Sequence, residues 1–203
     1  MLTALLGAVL AVRPASPPAC APTVDALAVP AEWRDARLQR SDVLVVSKAD
    51  RRIARYADGA LVTVDGAPAC WTVGLAASAG EAWVGTKTRR GDRKTPEGWY
   101  RTSDKPWSSY YGAVALHYPD RADADAGLAA ERIDAATHAR ILVALDRGAK
   151  PPQDTPLGGE ILIHGGGGDS DWTLGCVALD DADLDALRAT LPAGMRARVL
   201  VLP

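Results

Sequence analysis

The sequence predicts a mainly β domain with helical insertions, since short apolar segments bounded by turn residues outnumber segments with helical periodicity. Two segments carry a helical pattern, and they do not alternate regularly with the predicted strands, which argues against repeated βαβ units. The chain has 203 residues, a length that suits one domain preceded by a short leader.

The predicted strands begin near residue 42. Residues 42–47 contain the apolar run VLVV, which is typical of a buried strand. Residues 53–56 and 60–64 are predicted as two short strands joined by Asp58-Gly59, a dipeptide that favours a tight hairpin turn. Further strands are predicted at residues 71–75, 161–163 and 199–202.

Two helices are predicted in the second half of the chain. Residues 134–147 start at the capping residue Asp134, place their apolar side chains on one face and end before Gly148. A later helix is predicted to begin at Asp180 or Asp181 and to bury leucines along one side.

The first 31 residues differ in composition from the rest of the chain. Residues 1–12 are mostly apolar but too few to cross a bilayer as a helix, and residues 13–31 are rich in Pro and Ala. We therefore predict an export signal and a linker in residues 1–31, and a folded domain in residues 41–203. Export would place the protein in the periplasm or cell envelope. The alternative is a disordered apolar N-terminus.

Charge and cysteine content exclude some functional classes. The formal net charge is −2, whereas a nucleic-acid-binding protein usually has a strong basic excess. The three cysteines, Cys20, Cys70 and Cys176, form no CxxC pair, so a sulfur-rich zinc site is not expected. We expect neither a metal nor a cofactor. If a disulfide forms it should join Cys20 to Cys70, but we favour an unpaired, buried Cys70 because processing can remove Cys20.

The segment ILIHGGGGDSDWTLGCVAL, residues 161–179, carries the strongest chemical signal. His164 ends a predicted strand, four glycines follow it, and Cys176 comes twelve residues later, directly after Gly175. A thiol attacks acyl groups as a thiolate, and a neighbouring imidazole can take its proton. We predict Cys176 as nucleophile and His164 as base. The backbone at Gly165, Gly175 and Cys176 is predicted to stabilise an oxyanion.

This segment resembles the signature of the YkuD-like L,D-transpeptidase family, written H-G, a variable gap, then S-H-G-C-I-R. His164-Gly165 matches the first part, and residues 171–179 are similar to a branch with the motif D-W-T-x-G-C-[IV]-A. Residues 91–101 resemble that branch's T-P-x-G-x-Y turn, and residues 116–123 resemble its Tyr-Pro-Asn/Asp segment. The resemblance covers residues 42–202.

The resemblance implies a β-sandwich catalytic domain that transfers acyl groups of peptidoglycan stem peptides through a cysteine thioester. It also implies that a backbone carbonyl, rather than an Asp, orients His164. Leu174 replaces the family's His before Gly-Cys, and Ala178 replaces its Arg. Transpeptidation, hydrolysis by a carboxypeptidase or amidase, and action on a wall-linked protein therefore stay open. The rival class is a non-catalytic wall-binding module. A monomer is expected.

Several further residues are candidates for substrate binding. Trp172 is expected to form a wall of the cleft, and Thr173 is a candidate for substrate contact. His117 is expected to line the cleft, although an ordinary strand histidine is the commoner case. His138 is expected to be packed and structural. A zinc site formed by His164, Cys176 and His117 has no supporting spacing. The basic stretch in residues 86–98 is expected either to hold an anionic substrate or to be a solvated hairpin tip, and its candidates are Arg89, Arg90 and Arg93.

Overall fold

A curled, mixed β-sheet forms the centre of the protein. The computed structural model describes residues 19–76 and 84–203. In chain order its strands are β1 (Val43–Ser47), β2 (Arg52–Ala57), β3 (Ala60–Leu61), β4 (Thr63–Val64), β5 (Ala67–Pro68), β6 (Cys70–Thr72), β7 (Gly98–Asp104), β8 (Val114–Leu116), β9 (Leu162–His164), β10 (Val177–Ala178) and β11 (Arg198–Leu202). The main sheet has the order β10-β9-β8-β7-β11-β1-β2-β3, β6 also pairs with β2, and β4 pairs with β5 separately.

Helices pack beside this sheet. The described residues contain α1 (Ala36–Arg40), α2 (Arg121–Ala129), α3 (Ala135–Asp146) and α4 (Asp181–Ala189), with 3-10 turns at Val24–Ala26, Ala31–Trp33 and Ala193–Met195. The expectation of two helices is therefore too low. Helix α2 escaped prediction because it buries only Ala124 and Gly127, which leaves almost no apolar periodicity. Within the described ranges, no helix is long and apolar enough to span a membrane.

The local predictions for strands and helix starts are confirmed in several places. Strand β1 coincides with the predicted buried strand, and β2 and β3 form a hairpin in which Asp58 and Gly59 have positive φ angles of 48° and 77°. Helix α3 starts after Asp134, whose side chain accepts a hydrogen bond from the Thr137 N–H. Helix α4 starts after Asp180, but that side chain does not cap it.

The segment before Ser41 packs against the sheet. Val24, Val29 and Leu38 are buried in a core cluster with one face of β1, β2 and β11, although part of this segment was expected to be a linker. Cys20 and Cys70 form a disulfide, so our preference for an unpaired Cys70 is wrong. Residues 1–18, where most of the predicted export signal lies, are outside the described residues.

Strand register determines which side chains share a face near the end of the sheet. Strands β9 and β10 are parallel, with Val177 opposite Ile163 and Ala178 opposite His164. Side chains alternate between the two faces of a strand, so residue 176 lies on the same face as Leu162 and His164. Cys176 accordingly packs with Leu162 on that face.

Candidate active site

Cys176 and His164 line the same open cleft, which has a volume of about 630 Å³. They come from adjacent parallel strands, and the register makes His164 a diagonal neighbour of Cys176 on one sheet face. The floor of the cleft includes Leu162, and the segment around Tyr110 forms part of its wall. Two residues separated by twelve positions are thus brought together by strand pairing.

His164 is held in one orientation by its own backbone. It is only 1% exposed, and its Nδ1 lies 2.6 Å from the Gly165 carbonyl oxygen. A neutral imidazole that donates from Nδ1 has its lone pair on Nε2, the nitrogen a base needs. Burial lowers the pKa of His164, and the Gly165 carbonyl partly opposes this effect. The carbonyl contact matches the arrangement implied by the family resemblance.

Two aromatic rings enclose the imidazole of His164. Tyr110 stacks on it with ring centroids 4.1 Å apart, and Trp172 meets it edge-on at 5.5 Å. The Trp172 indole N–H donates to the Gly167 carbonyl at 2.9 Å, which fixes that ring against the glycine run. Trp172 is therefore a cleft wall, as expected. Tyr110 was missed, and its only signal in the sequence was the aromatic cluster WSSYYG.

The thiol of Cys176 contacts backbone groups. Its sulfur accepts a hydrogen bond from the Leu162 N–H at 3.4 Å and donates to the Glu160 carbonyl at 3.6 Å. Burial raises the pKa of Cys176, an effect opposed by the Leu162 N–H and the positive charges of Lys105 and Lys87. Burial thus favours the uncharged form of both groups, the thiol of Cys176 and the imidazole of His164. Catalytic hydrogen bonds are often long or poorly aligned before substrate binds.

The turn that precedes Cys176 is held by Thr173. This threonine is buried, its hydroxyl donates to the Cys176 carbonyl at 2.8 Å, and it accepts from the Gly175 N–H at 3.2 Å. Thr173 also lines the cleft, and its role as a substrate contact stays a prediction. Gly175 has φ 119°, and a Cβ there would lie 2.7 Å from the Lys94 carbonyl oxygen. Glycine is required by both conformation and space.

Two of the three predicted oxyanion donors are hydrogen-bonded to other groups. The Gly165 N–H donates to the Tyr111 carbonyl at 2.9 Å, so it points away from the reacting groups and that prediction is wrong. The Gly175 N–H is engaged by the Thr173 hydroxyl. Of the three predicted donors, the Cys176 N–H is the one that stays a prediction.

The glycine run serves close packing against the start of helix α4. The Gly166 N–H donates to Asp181 Oδ1 at 2.8 Å, and the Gly168 N–H donates to Asp180 Oδ1 at 3.0 Å. A Cβ at Gly165 would meet that same Asp181 oxygen at 2.3 Å. Asp180 and Asp181 thus hold the loop that follows His164 in place through hydrogen bonds.

Only one of the three predicted arginines reaches the cleft. Arg90 lines it, with its guanidinium also donating to the carbonyls of Gln153 and Thr155, while Arg89 and Arg93 do not line it. Two lysines also line the cleft. Lys87 belongs to the basic stretch that was predicted to hold an anion, whereas Lys105 lies outside that stretch and was not predicted.

The basic stretch is organised around one carboxylate. Lys87 is buried and pairs with Asp92 at 2.8 Å. Asp92 also accepts hydrogen bonds from three backbone N–H groups of its own loop, those of Thr88, Arg89 and Lys94. This network makes the stretch an ordered loop rather than a solvated hairpin tip.

The remaining histidines lie away from the nucleophile. His117 is buried beside a different groove, where its Nε2 lies 3.0 Å from the Ser103 hydroxyl, so it does not line the catalytic cleft as proposed. His138 binds Asp125 at 2.6 Å and links α3 to α2, which is the structural role expected. Among residues 19–76 and 84–203, no cluster of three or more His, Cys, Asp or Glu is arranged to hold a metal ion.

Comparison with known proteins identifies the family of the domain. The profile of the L,D-transpeptidase catalytic domain, YkuD, matches residues 41–201. A variant of the helical cell shape determining protein Pgp2 from Campylobacter jejuni has a similar fold, with a TM-score of 0.50, 22% identity, and coverage of 79% of this chain and 46% of that chain. An L,D-transpeptidase from Xylanimonas cellulosilytica gives a TM-score of 0.44 and 14% identity over 81% of this chain and 62% of that one. Comparison with curated protein sequences gave no significant match.

Proposed function

Since the chain belongs to the YkuD family of L,D-transpeptidase catalytic domains, we propose that it is an exported cysteine acyl-transferase that acts on peptidoglycan stem peptides. The observation that carries the proposal is the placement of Cys176 and His164 on one face of paired strands, open to one cleft. The chain spans about half the length of the Pgp2 structure, 46%, so its activity is inferred from its own site.

The proposed reaction begins when Cys176 attacks the carbonyl carbon that joins an L-centre to the following D-residue. His164 Nε2 takes the thiol proton as the S–C bond forms, which suits the neutral state of both groups. The Cys176 N–H stabilises the developing oxyanion. When the intermediate collapses, the C–N bond breaks, the D-residue leaves as an amine with the proton from His164, and a thioester remains.

The acceptor decides the product. An amine from a second stem peptide forms a new amide and gives a cross-link, whereas water gives a shortened stem, the carboxypeptidase outcome. In either case His164 takes the proton of the attacking group and Cys176 recovers its thiol. Leu174, 68% exposed beside the cleft, offers neither donor nor acceptor to an acceptor group.

The cations of the cleft favour a substrate that carries carboxylates. Lys87, Arg90 and Lys105 line it, but the charge of the buried Lys87 is already paired with Asp92. Lys105 pairs with Glu160, whose carbonyl contacts the thiol. A stem-peptide carboxylate can take the place of the Glu160 side chain at Lys105. Charge-assisted hydrogen bonds of this kind are stronger than neutral ones.

The experiment is intact-protein mass spectrometry after incubation with a soluble tetrapeptide stem. A mass increase equal to the tripeptide acyl group is expected for the wild type and should be absent in Cys176→Ala. Analysis of the released products then separates cross-linked peptides from shortened stems. Turnover of wall peptides by Cys176→Ala at the wild-type rate would end the proposal, and a stable complex without turnover in the wild type would favour a binding module.

A further inference from the structure

A second groove, of about 660 Å³, opens where β7 leaves β11 and pairs with β8. Its wall includes the buried His117 and the hydroxyl of Ser103, which contact each other. Six cationic residues line it, namely Arg55, Arg101, Arg147, Lys150, Arg196 and Arg198. We call this the arginine groove.

Few negative charges balance these cations. Asp42 is the one carboxylate in the lining, and it pairs with Arg55 at 2.6 Å. Lys150 pairs with Glu160 at 3.3 Å. Within the described ranges, no salt bridge to a carboxylate is formed by the other four: Arg101, Arg147, Arg196 and Arg198.

The cluster creates a positive potential inside the groove. The charges of Lys150 and Arg101 add to burial in lowering the pKa of His117, to about 4. Several like charges gathered in one concave surface repel one another and concentrate anions there. The groove therefore fits a ligand with more than one negative charge.

The sheet connects this groove to the nucleophile. Cross-strand neighbours run from Cys176 to Leu162, then to Ala115, then to Ser103 in the groove wall. Three strand spacings amount to about 14 Å, which an extended peptide of about four residues spans.

Glu160 lies at the boundary between the two sites. Its carbonyl accepts from the Cys176 thiol, and its carboxylate pairs with Lys105 in the cleft and with Lys150 in the arginine groove. The carboxylate of Glu160 thus contacts a cation of each cavity, which places the arginine groove beside the cleft that holds Cys176.

We propose that the arginine groove binds the carboxylates of peptidoglycan stem peptides that neighbour the stem reacting at Cys176. This inference rests on the proposed function. A lipid surface is less suited to the site, because the exposed large apolar side chains of the described residues lie outside the groove lining. The groove would hold the polymer while the cleft selects one stem.

The test measures binding without turnover, in the Cys176→Ala background. Co-sedimentation with sacculi stripped of attached polymers is compared between this protein and a variant with three added changes, Arg101→Gln, Arg147→Gln and Arg198→Gln. A matched control carries three exposed arginines outside the groove changed in the same way, Arg40→Gln, Arg132→Gln and Arg140→Gln. We expect roughly tenfold weaker binding for the groove variant and little change for the control.

A single charge reversal shows whether weaker binding results from the lost positive charge or from a folding defect. Arg147→Glu alters a single exposed side chain after α3 and should also weaken sacculus binding, while the melting temperature and the rate of Cys176 alkylation in the otherwise wild-type chain are preserved. Equal losses in the groove and control variants, or unchanged binding in Arg147→Glu, would overturn the inference. So would a groove variant that loses binding to phosphatidylglycerol vesicles but keeps sacculus binding. Absence of an acyl-enzyme in the tetrapeptide experiment would instead refute the proposed function.

Discussion

Replacing Gly175 with alanine adds one methyl group at the turn that positions the nucleophile. The φ angle of 119° is rarely adopted by residues with a side chain, and such strain costs roughly 1–3 kcal/mol. The new Cβ would also lie 2.7 Å from the Lys94 carbonyl oxygen, where an ordinary contact needs about 3.4 Å. One of the two segments must therefore move by about 0.7 Å.

This movement should reach the reacting sulfur, because Gly175 directly precedes Cys176 and shares the Thr173 hydroxyl with it. A misplacement of about 1 Å can lower the rate roughly 100-fold. For a chain of this size, the melting temperature should fall by about 2–4 °C for each kcal/mol of strain. We expect both effects together in Gly175→Ala, measured as acyl-enzyme formation and as thermal unfolding.

Two control variants separate the effect of backbone strain from that of the close contact with the Lys94 carbonyl. Gly66 has φ 81° and nothing lies within 4 Å of the position that a Cβ would occupy there, so Gly66→Ala should lower the melting temperature without slowing acylation. Leu174→Ala changes a side chain that is 68% exposed and should leave stability within about 0.5 kcal/mol. If Gly175→Ala acylated and melted as the wild type does, the turn would be unconstrained and our reasoning would be wrong.

Three further predictions concern the base, the basic loop and the disulfide. His164→Gln should slow acyl transfer by about 100-fold or more. The alkylation rate of Cys176 in this variant should rise only at alkaline pH, because burial raises the pKa of the thiol. If wild type and variant showed the same dependence of alkylation rate on pH, His164 would not be the partner of Cys176. Burial alone would raise the pKa of Asp92, but Lys87 and three backbone N–H groups lower it below the usual Asp value. The ionised Asp92 therefore stabilises the fold at pH values above the usual Asp pKa, and this contribution is lost as the pH falls through the lowered pKa. Asp92→Asn should lower the free energy of unfolding by about 3–5 kcal/mol at neutral pH, because the buried Lys87 loses its charged partner. Chemical denaturation measures this loss, and an unchanged free energy of unfolding would show that the pair is dispensable. Cys70→Ser removes a disulfide with a sequence separation of 50 and should lower the free energy of unfolding by about 4 kcal/mol in the chain-entropy model. Thermal unfolding checks this, since the reduced wild-type protein should melt at the same temperature as the variant.

The enclosure of His164 bears on all of the experiments at the nucleophile. Tyr110 and Trp172 shield the imidazole, and burial keeps its pKa below the ordinary value. The base is therefore available in its neutral form across the neutral range. The hydrogen bonds of the Cys176 thiol go to the backbone groups of Leu162 and Glu160, so the proposed transfer of its proton to His164 requires those contacts to change.

Local sequence signals were sufficient for the central strand β1, the Asp58-Gly59 hairpin and the start of helix α3. Each depends on a few neighbouring residues whose apolar period, turn chemistry or capping side chain acts within the element itself. The segment around His164 and Cys176 was equally informative, because the glycines and the strand end that it requires lie within nineteen residues. The family could be inferred from that segment.

Tertiary structure alone decided the parts that join distant residues. Tyr110 stacks on His164 across 54 positions, and Arg101 lies opposite Arg198 through the pairing of β7 with β11. The sequence also could not indicate that Gly165 donates its N–H to Tyr111. Such contacts depend on strand order and register, which bring together residues with no local signal for each other. The sequence by itself therefore indicated the family and the candidate pair Cys176 and His164, while the folded sheet determined the surroundings of that pair and the charges beside it.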